Sequence, residues 1–166
     1  MKRERLPVLV VLAVALGACG GDGTPPSSGS SVPSFAGTYS SSQFWTLQVL
    51  RLSDGFMRSF TCAGSMTIVQ SAGSGSSAPI TGFATVTGTV CAPVSFNMSG
   101  RVNTDGSVSF TTGGPPPTEG PCPGGSNVAF AGLIATPNIS ARGVTTVQCP
   151  EFGEHQFTYI MAGRRP

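Results

Sequence analysis

The sequence contains little charge and almost no histidine, and both shortages exclude classes of function. Charged residues make up 10% of its 166 residues, and His155 is the single histidine. Beyond residue 18 the chain has no lysine, and its scattered arginines and acidic residues are equal in number. Because no basic patch is available to follow a phosphate backbone, we expect no binding to nucleic acid.

The single histidine also limits the chemistry that the chain can perform. A zinc protease of the H-E-x-x-H type needs two histidines on one helix face, and a serine nucleophile needs a base within hydrogen-bond reach. Glu151 and Glu154 lie near His155, but one histidine with two acids is a poor set of metal ligands. No G-x-S-x-G elbow or lysine-containing phosphate loop is present. We therefore predict no enzymatic activity, no catalytic residue, no metal and no cofactor.

Long helices are a third absence. Beyond residue 35 no apolar repeat of 3.6 residues lasts more than about one turn, and Ala, Leu, Glu and Lys are scarce. Gly, Ser and Thr dominate instead, which is typical of strands joined by turns. Alternating or threonine-rich patterns predict strands over residues 35–40, 45–49, 58–70, 80–90, 94–99, 107–112, 127–135, 138–147 and 155–163.

These segments follow one another in simple succession, separated by turn signals such as Ser53-Asp54-Gly55 and Asn103-Thr104-Asp105-Gly106. Eight or nine antiparallel strands in an open sheet would leave exposed edges, which closure removes. The sequence therefore predicts an all-β fold, an antiparallel up-and-down meander barrel of about eight strands. A two-sheet β-sandwich is the alternative.

The start of the chain has the pattern of an export signal. Three basic residues within the first five precede an apolar run over 8–16, which is shorter than the roughly 20 residues that a spanning helix needs. The next residues, Leu16-Gly17-Ala18-Cys19, resemble the lipobox of bacterial lipoproteins. The resemblance implies a signal peptide over 1–18 and a mature chain that begins at a Cys19 carrying diacylglycerol and a palmitate-type acyl chain. An ordinary secretory signal is the alternative.

The lipoprotein resemblance also implies a location in the bacterial cell envelope, with the membrane as a partner through the lipid. Because Gly20 rather than aspartate follows the cysteine, the family pattern favours the outer membrane. Residues 19–34 are almost all Gly, Ser, Pro and Thr, so they cannot bury enough apolar surface to fold. We predict that they form a flexible tether and that residues 35–166 form one domain.

Four cysteines remain once Cys19 is set aside, and an even number in an exported domain indicates disulfides. They contain no close C-x-x-C pair, so zinc binding, the rival interpretation, has little support. Four cysteines allow three pairings. We predict Cys62 with Cys91 and Cys122 with Cys149, because each pair flanks two consecutive strands and meets at the open end of a hairpin.

The runs FAGTY, SGRVNTDGSVSF, AFAGLIATPNISARG and HQFTYIMAGRR combine an aromatic residue or valine, a glycine and an alternating strand. They resemble small exported meander barrels of the lipocalin and avidin kind. The resemblance implies the barrel architecture and no particular binding residue.

Two functions fit a lipid-anchored barrel of this size, because about eight strands enclose either side chains or one small ligand. The first, which we predict, is a module that binds a small apolar or amphipathic ligand, with Trp45, His155 and Tyr159 as candidate contacts. The alternative is a structural or protein-interaction module with a solid core. Large apolar residues facing inward on every strand would favour the alternative, and inward Thr, Ser and Gly over 81–89 would favour a cavity.

Overall fold

The computed structural model describes residues 32–91, 93–113 and 127–166. Within these residues the chain forms antiparallel strands, and no helix is long and apolar enough to cross a membrane. The strands are β1 Gly37–Arg51, β2 Met57–Gln70, β3 Ser77–Thr87, β4 Val94–Asn103, β5 Ser107–Thr112, β6 Ala129–Ala135, β7 Asn138–Cys149 and β8 Gly153–Arg164.

Each strand pairs with the next along the chain, and β8 returns to pair with β1, so the sheet closes into a barrel. The closing register runs from Ser40 opposite Arg164 to Arg51 opposite His155. Closure gives every strand two hydrogen-bonded neighbours and removes the exposed edges of an open sheet. The predicted all-β, up-and-down barrel is confirmed, and the alternative of a two-sheet sandwich is wrong.

β1 joins two segments that the sequence predicts as separate strands. A bulge between Ser41 and Trp45 shifts the register of β1 against both β2 and β8. The bulge interrupts the period of two, so the pattern resembles two strands when only the sequence is considered. It also directs the side chains of two consecutive residues, Phe44 and Trp45, toward the core, where both are fully buried. The described barrel therefore has eight strands rather than nine.

Gly64 on β2 makes room for one of these rings. A Cβ at Gly64 would lie 2.7 Å from the Cδ1 atom of Phe44, which is closer than two carbon atoms can pack. A glycine is therefore required where the bulged part of β1 crosses β2.

Side chains alternate between the interior and the outer wall along the strands. On β3, Ile80 and Val86 are buried, whereas Thr81 is exposed and Thr85 is only partly buried. The threonines of 81–89 therefore face the outer wall and do not line a cavity. Burial of the aliphatic residues sets this register, because a shift by one residue would expose all of them.

The end of the barrel where β1 begins is called the tether end, because the predicted tether leads into it. Gln70, the last residue of β2, accepts a hydrogen bond from Phe35 N (2.8 Å) and donates one to Pro33 O (3.0 Å). Val32 packs partly buried against the core. Among the described residues, those over 32–35 therefore contact the barrel.

The same segment covers the interior of the barrel at the tether end. Phe35 is 6% exposed, and the buried Tyr39 donates its hydroxyl hydrogen bond to Phe35 O at 2.8 Å. Arg165 at the end of the chain donates to Ala36 O at 2.7 Å, and its guanidinium lies 6.0 Å from the centre of the Tyr39 ring. The two ends of the described domain are thus fastened together across this opening.

The opposite end, where β1 ends, is called the loop end. The Cys62–Cys91 disulfide joins the inner face of β2 to the connection between β3 and β4, with a Cα–Cα distance of 6.3 Å. This predicted pairing is confirmed. Cys149, the last residue of β7, is also disulfide-bonded. Its predicted partner, Cys122, lies outside the described residues.

Candidate functional site

The structure places the three residues predicted to contact a ligand along the inner wall of β1 and β8. Trp45 and Tyr159 are brought together, with ring centres 5.3 Å apart. His155 lies nearer the loop end, connected to Tyr159 through Phe157 by ring-centre distances of 6.4 Å and 6.3 Å. Trp45 and Tyr159 therefore share one environment, whereas His155 occupies another.

Trp45 and Tyr159 belong to a group of rings that fills the interior from the middle of the barrel toward the loop end. Phe130 stacks on Phe110 at 5.1 Å and lies 6.1 Å from Trp45 and 6.2 Å from Tyr159. Phe96 meets Trp45 edge to face at 5.4 Å. We call this group the aromatic cluster, and its members are Trp45, Phe96, Phe110, Phe130, Phe157 and Tyr159.

Two polar atoms of the aromatic cluster are buried without a hydrogen-bond partner among the described residues. They are the indole Nε1 of Trp45 and the hydroxyl oxygen of Tyr159. Burial raises the pKa of the Tyr159 hydroxyl well above its ordinary value, so that it remains a protonated donor. An unpartnered buried donor costs about 1–3 kcal/mol, and such a pair is an unusual feature of a folded core.

His155 does not form a catalytic or metal-binding arrangement with the described residues. It is 8% exposed, and its Nδ1 lies 3.1 Å from Gly153 O. Glu151 and Glu154 are both exposed. Among the described residues, no group of three or more His, Cys, Asp or Glu side chains is placed to hold a metal ion. The imidazole instead packs on the ring of Phe157 and covers the loop end of the interior.

The interior positions of every strand carry apolar side chains that pack together. The loop-end half holds the aromatic cluster, and the tether-end half is mainly aliphatic, with Met66, Ile68, Ile80, Val102, Val108, Ile134, Ile139 and Met161 buried there. Ring-to-ring contacts in one half and aliphatic contacts in the other pack these interior side chains against one another.

Two depressions in the described surface lie on the outer wall. One is bordered by the bulge of β1 at Ser40–Ser42 and by β2 and β3, and it is lined mainly by Ser, Thr, Ala and Gly. The other crosses β2, β3 and β4, where Val69 and Phe83 are 57% and 48% exposed. Both are open surfaces rather than chambers inside the barrel, so neither includes the predicted ligand contacts.

The loop end carries a feature that the sequence analysis did not identify. Five large apolar side chains on its connections and at the start of β2 are 44–62% exposed, and we call them the apolar rim: Leu52, Phe56, Met57, Val90 and Phe152. A hydrogen bond from Leu52 N to Glu154 O (2.9 Å) holds the β1–β2 connection against the start of β8. Large apolar side chains are thus exposed on each of the three described connections at this end.

Charged residues fix the position of one ring in the rim. The guanidinium carbons of Arg51 and Arg58 lie 5.3 Å and 5.2 Å from the centre of the Phe56 ring. Arg51 also pairs with Asp54 at 2.5 Å, and Asp54 accepts from Phe56 N at 3.1 Å. One feature of the sequence could have indicated the rim. The apolar residues Leu52 and Phe56 flank the turn 53–55, a position where polar residues are usual.

Comparison of the chain with protein-family models, curated proteins and solved structures finds no match. The barrel itself and the placement of these side chains are therefore what a functional proposal can rest on. The predicted signal peptide, Cys19 and most of the predicted tether lie outside the described residues.

Proposed function

We propose that the chain is a lipid-anchored protein of the bacterial cell envelope, and that its barrel is a solid scaffold for interaction with another envelope protein. The interior packed with apolar side chains is the observation that favours a protein-interaction role over a ligand-carrying role. Large apolar side chains face inward on the strands, and the tether end is covered by Phe35 and Tyr39. An interior of large apolar side chains that pack on one another supports this choice, because a ligand pocket of ordinary size would need some of that space.

The apolar rim supports the same proposal. Its five side chains lie on three connections and at the start of β2, at the end opposite the tether, and all five are exposed. Arg51, Asp54 and Arg58 surround Phe56. Aromatic residues and arginine are both enriched at protein–protein interfaces, which supports a docking role for this part of the rim.

The lipid anchor is tested separately. Metabolic labelling with palmitate should mark the wild-type chain and not the Cys19→Ala variant, and the mature mass should begin at Cys19. Label that persists in Cys19→Ala, or a mature N-terminus elsewhere, would contradict the anchor without affecting the conclusion about the barrel.

The interaction is tested by a photo-reactive amino acid that replaces Met57 in the full chain, which is expressed in bacterial cells so that it is exported to their envelope. We expect a discrete adduct with another protein, which Phe56→Ser removes. The matched control is Val144, which is 43% exposed on the wall of β7 and should give no such adduct. Equal labelling from both positions, or none from Met57, would contradict a docking role for the rim.

A small-ligand function is the second candidate, and the two unpartnered donors of Trp45 and Tyr159 favour it. A ligand with an acceptor oxygen could satisfy both if the aromatic cluster rearranged around it. Native mass spectrometry of the purified protein tests for such a molecule directly. Because the chain has one tryptophan, a change in its fluorescence on addition of an apolar carbonyl compound is the second measurement.

A further inference from the structure

The charged side chains of the described domain are divided unequally between its two ends. Asp54, Glu151 and Glu154 lie at the loop end with two arginines, which gives a small negative side-chain charge. The tether-end half has a single described acid, Asp105, and it holds the other arginines: Arg101, Arg142, Arg164 and Arg165. The end that receives the tether is therefore the basic end of the barrel.

These arginines are available to a partner. Arg101, Arg142 and Arg164 are exposed and make no ion pair with any described residue. Arg165 is partly buried and already donates to Ala36 O. Their charge is thus not neutralised within the described domain.

The positions of the arginines around the barrel determine which surface they fit. Arg101 lies on β4 next to the turn that begins at Thr104, and Arg164 lies on β8 at the same end. β4 and β8 are on opposite sides of the eight-strand barrel. A flat surface can meet both side chains only if the barrel stands on its tether end.

The length of the tether favours the tether end as the end that faces the membrane that holds the lipid. The segment between Cys19 and Val32 has a root-mean-square reach of roughly 20 Å if it is flexible. Strands of this length, tilted as in a closed barrel, put the loop end roughly 30 Å away from the tether end. An anchored barrel is therefore expected to rest with its tether end toward the bilayer.

We propose that the basic tether end docks on the anionic lipid headgroups of the membrane that carries the anchor, so that the barrel stands upright and presents the apolar rim away from the bilayer. The proposal rests on the proposed lipid anchoring for its biological setting. Its physical content is the attraction of arginines to an anionic surface, which raises the affinity for that surface about fivefold per residue.

The test measures binding of the full chain carrying Cys19→Ala to phosphatidylcholine vesicles with and without phosphatidylglycerol. Residues 1–18 are the same in every variant, so their own affinity for the vesicles does not affect the differences. Arg101→Gln combined with Arg164→Gln should weaken binding to the anionic vesicles about thirtyfold. The matched control, Arg51→Gln with Arg58→Gln, removes the same charge at the loop end and should weaken it less than about twofold.

Arg101→Lys with Arg164→Lys should restore binding, because it keeps both positive charges. It also removes the same two arginine side chains, so it controls for any structural disturbance that their loss causes. Any of four results would overturn the proposal. Both glutamine pairs could weaken binding equally, or neither could weaken it. The lysine pair could fail to restore binding, or the wild-type binding could show no preference for phosphatidylglycerol. Because this assay uses a chain without the lipid, its failure is distinguishable from failure of palmitate labelling at Cys19.

Discussion

The two halves of the barrel are built differently, although the same eight strands run through both. The tether-end half has a mainly aliphatic interior covered by Phe35 and Tyr39, short turns, exposed arginines and an N-terminal segment fastened by Gln70 and Arg165. The loop-end half has the aromatic cluster, two unpartnered buried donors, a disulfide and the apolar rim. The difference indicates that the tether-end half closes and positions the domain, whereas the loop-end half carries the features from which recognition can be built.

The largest expected effect tests whether the loop-end half is truly filled. Phe130→Ala should lower the free energy of unfolding by about 4 kcal/mol, because the ring contacts Phe110, Trp45 and Tyr159 and leaves a cavity when removed. Urea unfolding measures it. Leu133→Ala on the same strand is the control, since Leu133 is 49% exposed and its loss should cost about 0.5 kcal/mol or less. A cost below about 1.5 kcal/mol for Phe130→Ala would mean that this half is loosely packed.

The disulfide is the next largest effect. Replacing Cys62 and Cys91 together by alanine should cost about 3 kcal/mol, because the bridge closes a loop with a sequence separation of 29. Hydrogen exchange should rise at the loop end, in residues 88–91, and stay unchanged in residues 33–36 at the tether end. A matching rise in both segments would show that the two halves do not differ in local stability.

The chain has two tyrosines, and they allow a buried hydroxyl that has a hydrogen-bond partner to be compared with one that has none among the described residues. Tyr39→Phe should cost about 1 kcal/mol, since it removes the hydrogen bond to Phe35 O at the tether end. Tyr159→Phe should cost nothing or stabilise slightly, because its hydroxyl is buried without a described partner. If thermal unfolding shows a similar loss for Tyr159→Phe, that hydroxyl has a partner in solution, and the ligand-binding candidate gains support.

The smallest expected effect is a loss of stability in alkali. Burial raises the pKa of Tyr159, and burial also raises that of Tyr39 against the opposing charge of Arg165. Above about pH 10 the unfolded chain releases phenolic protons that the folded chain retains, so stability falls as the pH rises. Urea unfolding at pH 9 and pH 10.5 should show a loss of less than about 1 kcal/mol per tyrosine, and Tyr159→Phe should reduce it. A stability that rises over this range would contradict the assignment of both groups as buried and neutral.

Much of the barrel could be predicted from local patterns. The alternation of Val94, Phe96 and Met98 and the turn at 103–106 correspond to β4 and its hairpin with β5, where Gly106 has the positive φ of 82° that the turn requires. The pairing of Cys62 with Cys91 followed from the expectation that consecutive strands pair. These features depend on a few neighbouring residues, and for that reason the sequence specifies them.

The candidate site could be predicted only in part. His155, Phe157 and Tyr159 alternate along β8, so the sequence predicts their common face. The contact of Tyr159 with Trp45, however, joins the first and the last strand of the sequence. The apolar rim was missed because its members come from three separate connections. No periodic pattern relates Phe56 to Val90 or Phe152; only the barrel brings their connections to one end.

By itself, the sequence determined the strand-rich composition, the order of the strands, the turn positions and one cysteine pair, because each arises from short-range preferences and from the period of two. Only the tertiary structure decided that β1 continues through its bulge, that the threonines of β3 face outward and that β8 closes on β1. Those outcomes depend on which register buries the most apolar surface over the whole barrel, a choice that no single strand can make. The filling of the interior by the aromatic cluster follows from the same global packing.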